Sequence, residues 1–264
     1  MNFNELNKLA WEEAFENRRE GWGEDIVNRI RNEENPFLVK ELIDELCDYD
    51  LKGKTIAQFC CNNGRELLSL YKMGAEYGVG FDIAENQISF ANMTAEKLQM
   101  NCTFIATDIL EIDDRYNNTF DYIFITIGAL TWFKDLNAFF KKVSDCLKEG
   151  GHLFINEQHP VIDMLAAAGE DNYDPSSPEK LVNSYFRNEP WVESDGMGYM
   201  SDSSKEFKKT FYSFSHSFSE ILNAIIQSGM QIKRLEEFEY DLSGSFAHLN
   251  KRGIPLSYIL ICNK

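Results

Sequence analysis

Two aspartates and a short turn are the residues of this sequence whose types and spacing are most suited to chemistry. Asp82 and Asp108 each follow an apolar run typical of a buried strand, and an earlier run leads into the turn Cys60-Cys61-Asn62-Asn63-Gly64. The carboxyl ends of parallel strands meet at one edge of a sheet, so the turn and both carboxylates are expected to face one ligand. A single aspartate after a strand is more often a helix cap or turn former, but two in succession favour a binding site.

The ligand that these residues suit is a nucleoside. A carboxylate offers two acceptor oxygens in one plane, so Asp82 is suited to the two hydroxyls of a ribose. Asp108 is suited to the exocyclic amine of an adenine, with Ile109 packed on the ring. The turn offers only Gly64 and two asparagines that tolerate left-handed backbone, whereas a pyrophosphate loop needs several glycines. The turn is therefore predicted to hold a smaller, uncharged part of the ligand.

The elements that must position these residues alternate between strand and helix. Strands are predicted at 55–60, 77–82, 102–106, 121–127, 152–156, 231–240 and 256–262, and helices at 65–73, 84–99, 134–148 and 219–228. The first five strands are apolar runs and not apolar–polar alternations, which is typical of a parallel sheet covered on both faces. The regular succession of strand and helix predicts a doubly wound α/β fold.

Composition and charge narrow the expected partners. The chain has 26 basic and 43 acidic residues and a formal net charge of −17. Such a surface repels phosphate backbones and anionic lipid, so neither nucleic acid nor a membrane is the expected partner. The sequence shows no signal peptide and no run of 18 apolar residues. The six cysteines are scattered except for the adjacent pair in the turn, so reduced thiols, a cytoplasmic location and no metal site are expected.

Five stretches of the sequence resemble, in order and spacing, the motifs of class I S-adenosylmethionine-dependent methyltransferases. They are Ile56–Leu68, Gly78–Ile83, Ala106–Ile109, Phe120–Leu130 and Leu147–Leu153. The family usually has an acidic residue where Gln58 stands and glycines where Cys60 and Asn62 stand, so the chain resembles a divergent subgroup with a Cys-Cys-Asn-Asn-Gly first motif. With the strand pattern, the resemblance implies a doubly wound, seven-stranded, mostly parallel sheet with helices on both faces and an antiparallel last strand.

The resemblance also implies the cofactor, S-adenosylmethionine, with S-adenosylhomocysteine as product. By position in the motifs, the residues implied to contact it are Gln58, Cys60, Cys61, Asn62, Asn63, Gly64, Asp82, Ile83, Asp108, Ile109, Ile127 and Gly128. The turn would hold the methionine portion and Asp82 the ribose. The adenine would lie between Ile83 and Ile109, with its amine on Asp108.

A single domain is expected over residues 1–264. It divides into an N-terminal helical cap (1–50), a cofactor-binding core (51–159), a lid insertion after the fifth strand (160–215), and a closing helix with two strands (216–264). The lid prediction depends on aromatic residues in an irregular segment beside the sheet edge, namely Tyr185, Phe186, Trp191 and Tyr199. An excursion that only packs on the surface is an equally good interpretation of that segment.

Three residues near the predicted carboxyl edge are candidates for catalysis. Glu157 and His159 follow the fifth strand, and His216 precedes the closing helix. His159 is the first candidate for a base or substrate-orienting group, His216 the second, and Glu157 a partner. Methyl transfer depends mainly on positioning, and only a hydroxyl or protonated amine acceptor needs a base. A structural hydrogen-bonding role is at least as common for a histidine at a strand end.

The sequence therefore predicts an S-adenosylmethionine-dependent methyltransferase that acts on an unidentified small molecule, by in-line transfer to an oxygen, nitrogen or sulfur acceptor. A non-catalytic ligand-binding or regulatory protein on the same fold is the alternative that Gln58 keeps open. An NAD-type oxidoreductase is less consistent with the sequence, because its glycine fingerprint is missing. The oligomeric state and the acceptor atom are not predicted.

Overall fold

The computed structural model describes residues 2–264; three helices come first, and strands and helices then alternate from Thr55 to Gln158. The helices are α1 (Phe3–Glu16), α2 (Ile26–Asn32), α3 (Lys40–Leu46), α4 (Arg65–Lys72), α5 (Glu85–Leu98), α6 (Leu136–Cys146) and α7 (Phe218–Gln227). The strands are β1 (Thr55–Phe59), β2 (Tyr77–Asp82), β3 (Cys102–Ala106), β4 (Phe120–Thr126), β5 (Leu147–Gln158), β6 (Trp191–Glu193), β7 (Phe211–Ser213), β8 (Gln231–Phe238) and β9 (Ser257–Asn263).

Seven strands form one twisted sheet in the order β3-β2-β1-β4-β5-β9-β8. Strands β1 to β5 are parallel to one another, and β9 pairs antiparallel with both β5 and β8. The prediction of a seven-stranded, mostly parallel sheet with an antiparallel last strand is confirmed. The chain winds outward in both directions from β1, so the strand order reverses between β1 and β4. Ligands of doubly wound sheets bind at the carboxyl edge beside such a reversal.

The sheet is covered on both faces by apolar side chains. Successive residues of β1 point to opposite faces, because side chains alternate along a strand. Ala57 packs in the core under α6 and α7, with Phe139 and Ile225, and Ile56 packs in the core under α2 to α5, with Leu67. Burial on both faces explains why the parallel strands read as continuous apolar runs.

Residues 160–215, the predicted lid, cross the carboxyl edge of the sheet and pack on α1. The side chain of Asn7, which is 3% exposed, exchanges two hydrogen bonds with the backbone of Tyr212, at 2.9 and 2.8 Å. Met200 and Phe211 are buried in a small separate core with the apolar face of α1. The short strands β6 and β7 pair antiparallel in this segment. The sequence predicted no strands here, because three residues are too few to show a period.

Within residues 2–264, no helix is both long enough and apolar enough to span a membrane.

Candidate active site

The turn between β1 and α4 is compact because three of its residues adopt left-handed backbone. The φ angles are 57° at Cys60, 51° at Asn62 and 79° at Gly64. Asparagine and glycine adopt this region readily, whereas a cysteine there is uncommon. Gly64 also has no room for a side chain, because a Cβ would lie 2.4 Å from the ring of Phe104. The turn therefore needs glycine at its last position.

Asp82, at the end of β2, is held against this turn. Its Oδ2 accepts a hydrogen bond from the Asn62 amide at 2.8 Å, and its Oδ1 accepts one from the Ala84 amide at 3.1 Å. Burial raises the pKa of Asp82, and the backbone amides that donate to it oppose that rise. Each carboxylate oxygen has a second lone pair, so the group can still accept from ligand hydroxyls.

Asp108, at the end of β3, has a partner that the sequence did not reveal. Its Oδ1 accepts from the Leu110 amide at 2.9 Å, while its Oδ2 accepts from the Asn4 side chain at 2.6 Å. Asn4 belongs to α1, so the N-terminal helix covers this part of the site. No local signal could have identified Asn4, because it lies 104 residues from its partner.

One cavity of about 920 Å³ opens at the carboxyl edge of the sheet. The predicted cofactor residues that line it are Gln58, Cys60, Asn62, Asp82, Ile83, Asp108, Ile109, Ile127 and Gly128. Cys61, Asn63 and Gly64 do not line it, and they shape the turn from behind. Burial raises the pKa values of both turn cysteines well above the ordinary value, so their thiols stay protonated and act as packing groups.

Gln58 provides a test of whether these residues fit a cofactor with an ammonium group. The side chain is 1% exposed, its Nε2 donates to Thr126 Oγ1 at 2.8 Å, and its Oε1 has no partner within residues 2–264. A buried carbonyl oxygen left unpaired is costly, about 1–3 kcal/mol. A ligand N–H group in the cavity would satisfy it, so the residues present fit such a cofactor even without the usual acid.

Glu157 lies behind the cavity wall and fixes the loop that follows β4. Its carboxylate, 5% exposed, accepts from the amides of Gly128, Ala129 (2.8 Å), Leu130 (3.4 Å) and Gln158 (3.0 Å). Burial raises its pKa, and these amides oppose the rise. The geometry favours a positioning role, since Gly128 and Ala129 are themselves cavity residues.

The two predicted histidines do not line the cavity either. His159 accepts at Nδ1 from the Val161 amide at 3.1 Å, and its Nε2 lies 2.9 Å from Glu237 Oε1. His216 Nε2 lies 2.8 Å from the carbonyl oxygen of Phe133. Burial lowers the pKa of both imidazoles. Their catalytic role stays a prediction, and the contacts favour anchoring of the surrounding loops.

The half of the cavity away from the turn, here the far half, is lined by acidic and aromatic residues that the sequence interpretation did not select as catalytic. They include Asp163, Glu170, Glu193, Trp132 and Trp191. Asp163 stands on the helical turn Pro160–Met164 that follows β5. Burial raises its pKa, against the opposing effect of the Ser215 side chain, and Trp191 Nε1 donates to Ser215 Oγ at 2.9 Å. The signal that could have found Asp163 is its place just after the fifth strand, in an otherwise apolar segment.

Cationic groups are scarce in this cavity. Among the described residues that line it, Arg65 is the only lysine or arginine. Its Nε lies 2.8 Å from Glu66 Oε1, and proximity to Glu66 raises the pKa of Arg65. The cavity therefore offers a paired cation at the cofactor turn and carboxylates elsewhere.

A family model described as a methyltransferase domain matches residues 50–212. The chain belongs to this methyltransferase family. The predictions of an S-adenosylmethionine-dependent methyltransferase and of its Rossmann-like fold are confirmed. The match covers the turn, both aspartates and most of the segment over the cavity.

Relatives of this methyltransferase carry a more specific name. A tRNA U34 carboxymethyltransferase from Helicobacter acinonychis is 27% identical over 216 residues, covering 75% of this chain and 78% of the relative. One from Campylobacter hominis is 26% identical and covers 69% and 58%. Among solved structures, an S-adenosylmethionine-dependent methyltransferase from Mesorhizobium loti superimposes with a TM-score of 0.62 at 20% identity, over 89% of this chain and 100% of that one.

A Streptomyces coelicolor geranyl diphosphate C-methyltransferase superimposes over 100% of this chain and 98% of its own, with a TM-score of 0.60 at 11% identity. At these identities the solved structures establish the fold alone.

The prediction that nucleic acid is not a partner is wrong, because relatives matching three quarters of the chain are named for a tRNA substrate, and the prediction of a small-molecule substrate is not confirmed. Net charge sums over the whole surface, whereas a nucleic acid needs only local cations.

Proposed function

We propose that this methyltransferase transfers a methyl group from S-adenosylmethionine to a nucleoside of a tRNA. The observation that supports the proposal is the match of relatives named tRNA U34 carboxymethyltransferases over three quarters of this chain. The reaction requires a cofactor site and an acceptor site side by side, and the 920 Å³ cavity has room for both. A tRNA substrate is also consistent with the cytoplasmic location expected from the cysteines.

The proposed cofactor position follows from the residues that line the cavity. The methionine portion lies over the turn, with its ammonium near Gln58 Oε1. The ribose hydroxyls donate to Asp82, and the adenine packs against Ile83 and Ile109. S-adenosylmethionine supplies a methyl group on a sulfonium sulfur and leaves as S-adenosylhomocysteine. The protein's contribution is to hold the acceptor in line with that carbon.

A nucleoside in RNA reaches such a cavity only when it leaves its base stack. Enzymes that modify a base hold the extruded nucleotide in a pocket lined by aromatic groups and hydrogen-bonding partners. The far half of this cavity offers Trp132, Phe133, Trp191 and Phe246, with the amide of Asn183. These groups support a planar acceptor of nucleobase size.

Because the chain has a net charge of −17, contacts with the phosphates of tRNA must come from local groups of cationic residues. Arg19 donates to the carbonyl oxygens of Met200 and Tyr199, and Tyr199 lines the cavity. The backbone amides of Lys208 and Lys209 donate to Glu13 on α1, so all three cations are exposed along the same rim. Acidic residues alternate with them. Binding of tRNA is therefore expected to be weak and strongly salt-dependent.

The group transferred is proposed to be methyl, in contrast to the carboxymethyl group in the relatives' name. A carboxylate on the transferred group would need an unpaired cation beside it, because burial of an unpaired charge is costly. The one cationic side chain among the described lining residues, Arg65, already pairs with Glu66. The charge of the cavity thus favours an uncharged group.

The test is transfer of labelled methyl from S-adenosylmethionine to total tRNA isolated from cells that lack this protein. We expect label in tRNA with the unaltered protein and at least a tenfold loss with Asp82→Asn, which keeps the shape but loses the charge. Asp113→Asn is the matched control, since Asp113 also caps a turn, by accepting from Arg115, but lies outside the cavity.

Binding of S-adenosylhomocysteine with no label in tRNA would contradict a tRNA acceptor and leave the cofactor assignment standing. Binding without transfer to any acceptor is what the non-catalytic alternative predicts.

A further inference from the structure

We propose that the far half of the cavity, which is the acceptor half of the proposed reaction, binds a protonated alkylamine. Asp163 accepts a proton from this amine before the nitrogen is methylated. The part of this inference that places the amine on a tRNA nucleoside rests on the proposed function. The preference of the cavity for an amine does not depend on the proposed function.

The carboxylates of this half have no cationic partners. Asp163, Glu170 and Glu193 all line the cavity, and within residues 2–264 none of the three has a lysine, arginine or histidine nitrogen within 4 Å. Burial and the neighbouring carboxylates of Asp195 and Glu170 raise the pKa of Glu193. Crowded carboxylates of this kind are stabilised by a cationic ligand and repel an anionic one.

A second observation also indicates a ligand rich in N–H donors. Gln58 Oε1 is buried, lines the same cavity and has no partner within the described residues. Surplus acceptors are thus present at both ends of the cavity, and the cofactor's ammonium can satisfy only the one beside the turn. At the acidic end Glu170 and Glu193 are exposed to water, whereas Asp163 is partly buried, so Asp163 gains most from a donor on the acceptor substrate.

Two indole rings complete the environment of a cation. Trp132 and Trp191 line the acceptor half, and aromatic faces attract cations; one face of Trp191 already holds the Arg187 guanidinium, 3.9 Å from the ring centroid. Both rings are held in place: Trp191 by its hydrogen bond to Ser215, and Trp132 by an edge contact with Trp11 at 5.3 Å between ring centroids. Fixed aromatic rings in the same cavity as carboxylates suit an alkylammonium better than a neutral hydroxyl.

Asp163 is the carboxylate best placed to accept a proton. It stands on the helical turn Pro160–Met164 that follows β5, and it lines the same cavity as Ile127 and Gly128. Its neighbour Ser215, which lowers the pKa of Asp163 and accepts a hydrogen bond from Trp191, does not titrate near neutral pH. A partly buried carboxylate is a stronger base than an exposed one.

The step balances in atoms and charge. The ammonium R–NH₃⁺ gives one proton to the Asp163 carboxylate, leaving R–NH₂ and a neutral carboxylic acid. The nitrogen lone pair then forms the new nitrogen–carbon bond, while the electrons of the carbon–sulfur bond go to the leaving sulfur. The product R–NH₂⁺–CH₃ keeps the positive charge. Asp163 returns to its ionised form by releasing its proton to solvent as the product leaves.

The experiment measures binding of three probes of equal shape to the full-length protein loaded with S-adenosylhomocysteine. Benzylamine, benzyl alcohol and benzoate are titrated calorimetrically. We expect benzylamine to bind at least tenfold more tightly than benzyl alcohol, and benzoate to bind most weakly. Asp163→Asn should weaken benzylamine binding about tenfold and leave the affinity for S-adenosylhomocysteine unchanged. Asp174→Asn is the matched control, because Asp174 lies in the same segment, does not line the cavity and caps a turn by accepting from the Ser176 amide.

Three results would overturn the inference: benzoate binding as tightly as benzylamine, no effect of Asp163→Asn on benzylamine, or no saturable binding of any probe. Failure of the proposed function has a different signature. If tRNA receives no label but the amine preference and its loss in Asp163→Asn hold, the acceptor chemistry stands and the amine belongs to another molecule. If tRNA is labelled but benzoate binds best, the tRNA proposal stands and the amine inference falls.

Discussion

Replacement of Glu157 by glutamine separates a positioning role from a catalytic one. Two backbone amides donate to each carboxylate oxygen: those of Gly128 and Gln158 to Oε1, and those of Ala129 and Leu130 to Oε2. Glutamine turns one oxygen into a donor, so either orientation leaves two buried or partly buried N–H groups without an acceptor. At about 1–3 kcal/mol for each, the free energy of unfolding should fall by about 4 kcal/mol.

Chemical denaturation followed by tryptophan fluorescence measures that loss, and Tm should fall by about 8 °C or more for a chain of this size. Glu149→Gln is the control, because Glu149 lies on the same strand with its side chain 85% exposed. It should change stability by less than about 0.5 kcal/mol. If Glu157→Gln unfolds at the same denaturant concentration as the unaltered protein but transfers no methyl, Glu157 acts on the substrate and the positioning argument is refuted.

Three further predictions concern the turn and the sheet. Gly64→Ala should abolish S-adenosylhomocysteine binding in calorimetry and lower Tm, because its φ of 79° is strained for alanine and its Cβ would overlap Phe104; unchanged binding would contradict the tight turn. Gln58→Glu should tighten S-adenosylmethionine binding severalfold by adding a charge opposite the ammonium, and weaker binding would place the ammonium elsewhere. For Asp121, burial raises the pKa, but Lys148, the Thr55 amide and Lys54 together outweigh that rise, so the pKa lies below its ordinary value of 3.8. Its stabilisation is therefore present above that pH and lost as pH falls through the folded pKa. Asp121→Asn should flatten the acid side of the stability–pH curve, measured by denaturant unfolding, and an unchanged acid limb would refute the pairing.

The parts of the fold that depend on short stretches of chain were predictable from the sequence. Strands β1, β2, β4 and β5 are buried on both faces, so their residues form apolar runs in the sequence. Asp82 and Asp108 follow such runs directly, and the shared edge of a parallel sheet brings them together. Asn62 was predictable in the same way, since a tight turn needs a residue that tolerates left-handed backbone.

The parts that depend on distant contacts were not predictable. Asn4 meets Asp108 only because α1 crosses the edge of the sheet, and nothing near Asn4 in sequence indicates that crossing. His159 and Glu157 were selected because they follow a strand end, but the side chains turn away from the cavity toward Glu237 and the loop after β4. Asp163, a few residues later, lines the cavity instead. A sequence pattern gives the edge on which a residue lies, not the direction of its side chain.

The two halves of the cavity are built from different parts of the chain, so their ligand affinities should respond differently to substitution. The cofactor half is built from strand ends of one rigid sheet. The acceptor half is built mainly from residues 160–215 and from the loop at Leu242–Phe246, together with Trp132 and Phe133 after β4. Substitutions such as Asp163→Asn should therefore change acceptor affinity with little effect on cofactor affinity, because additivity holds for groups that share no partners. A coupled loss of both affinities would mean that the segment over the cavity orders the cofactor turn, through the hydrogen bond between Asn62 and Tyr199.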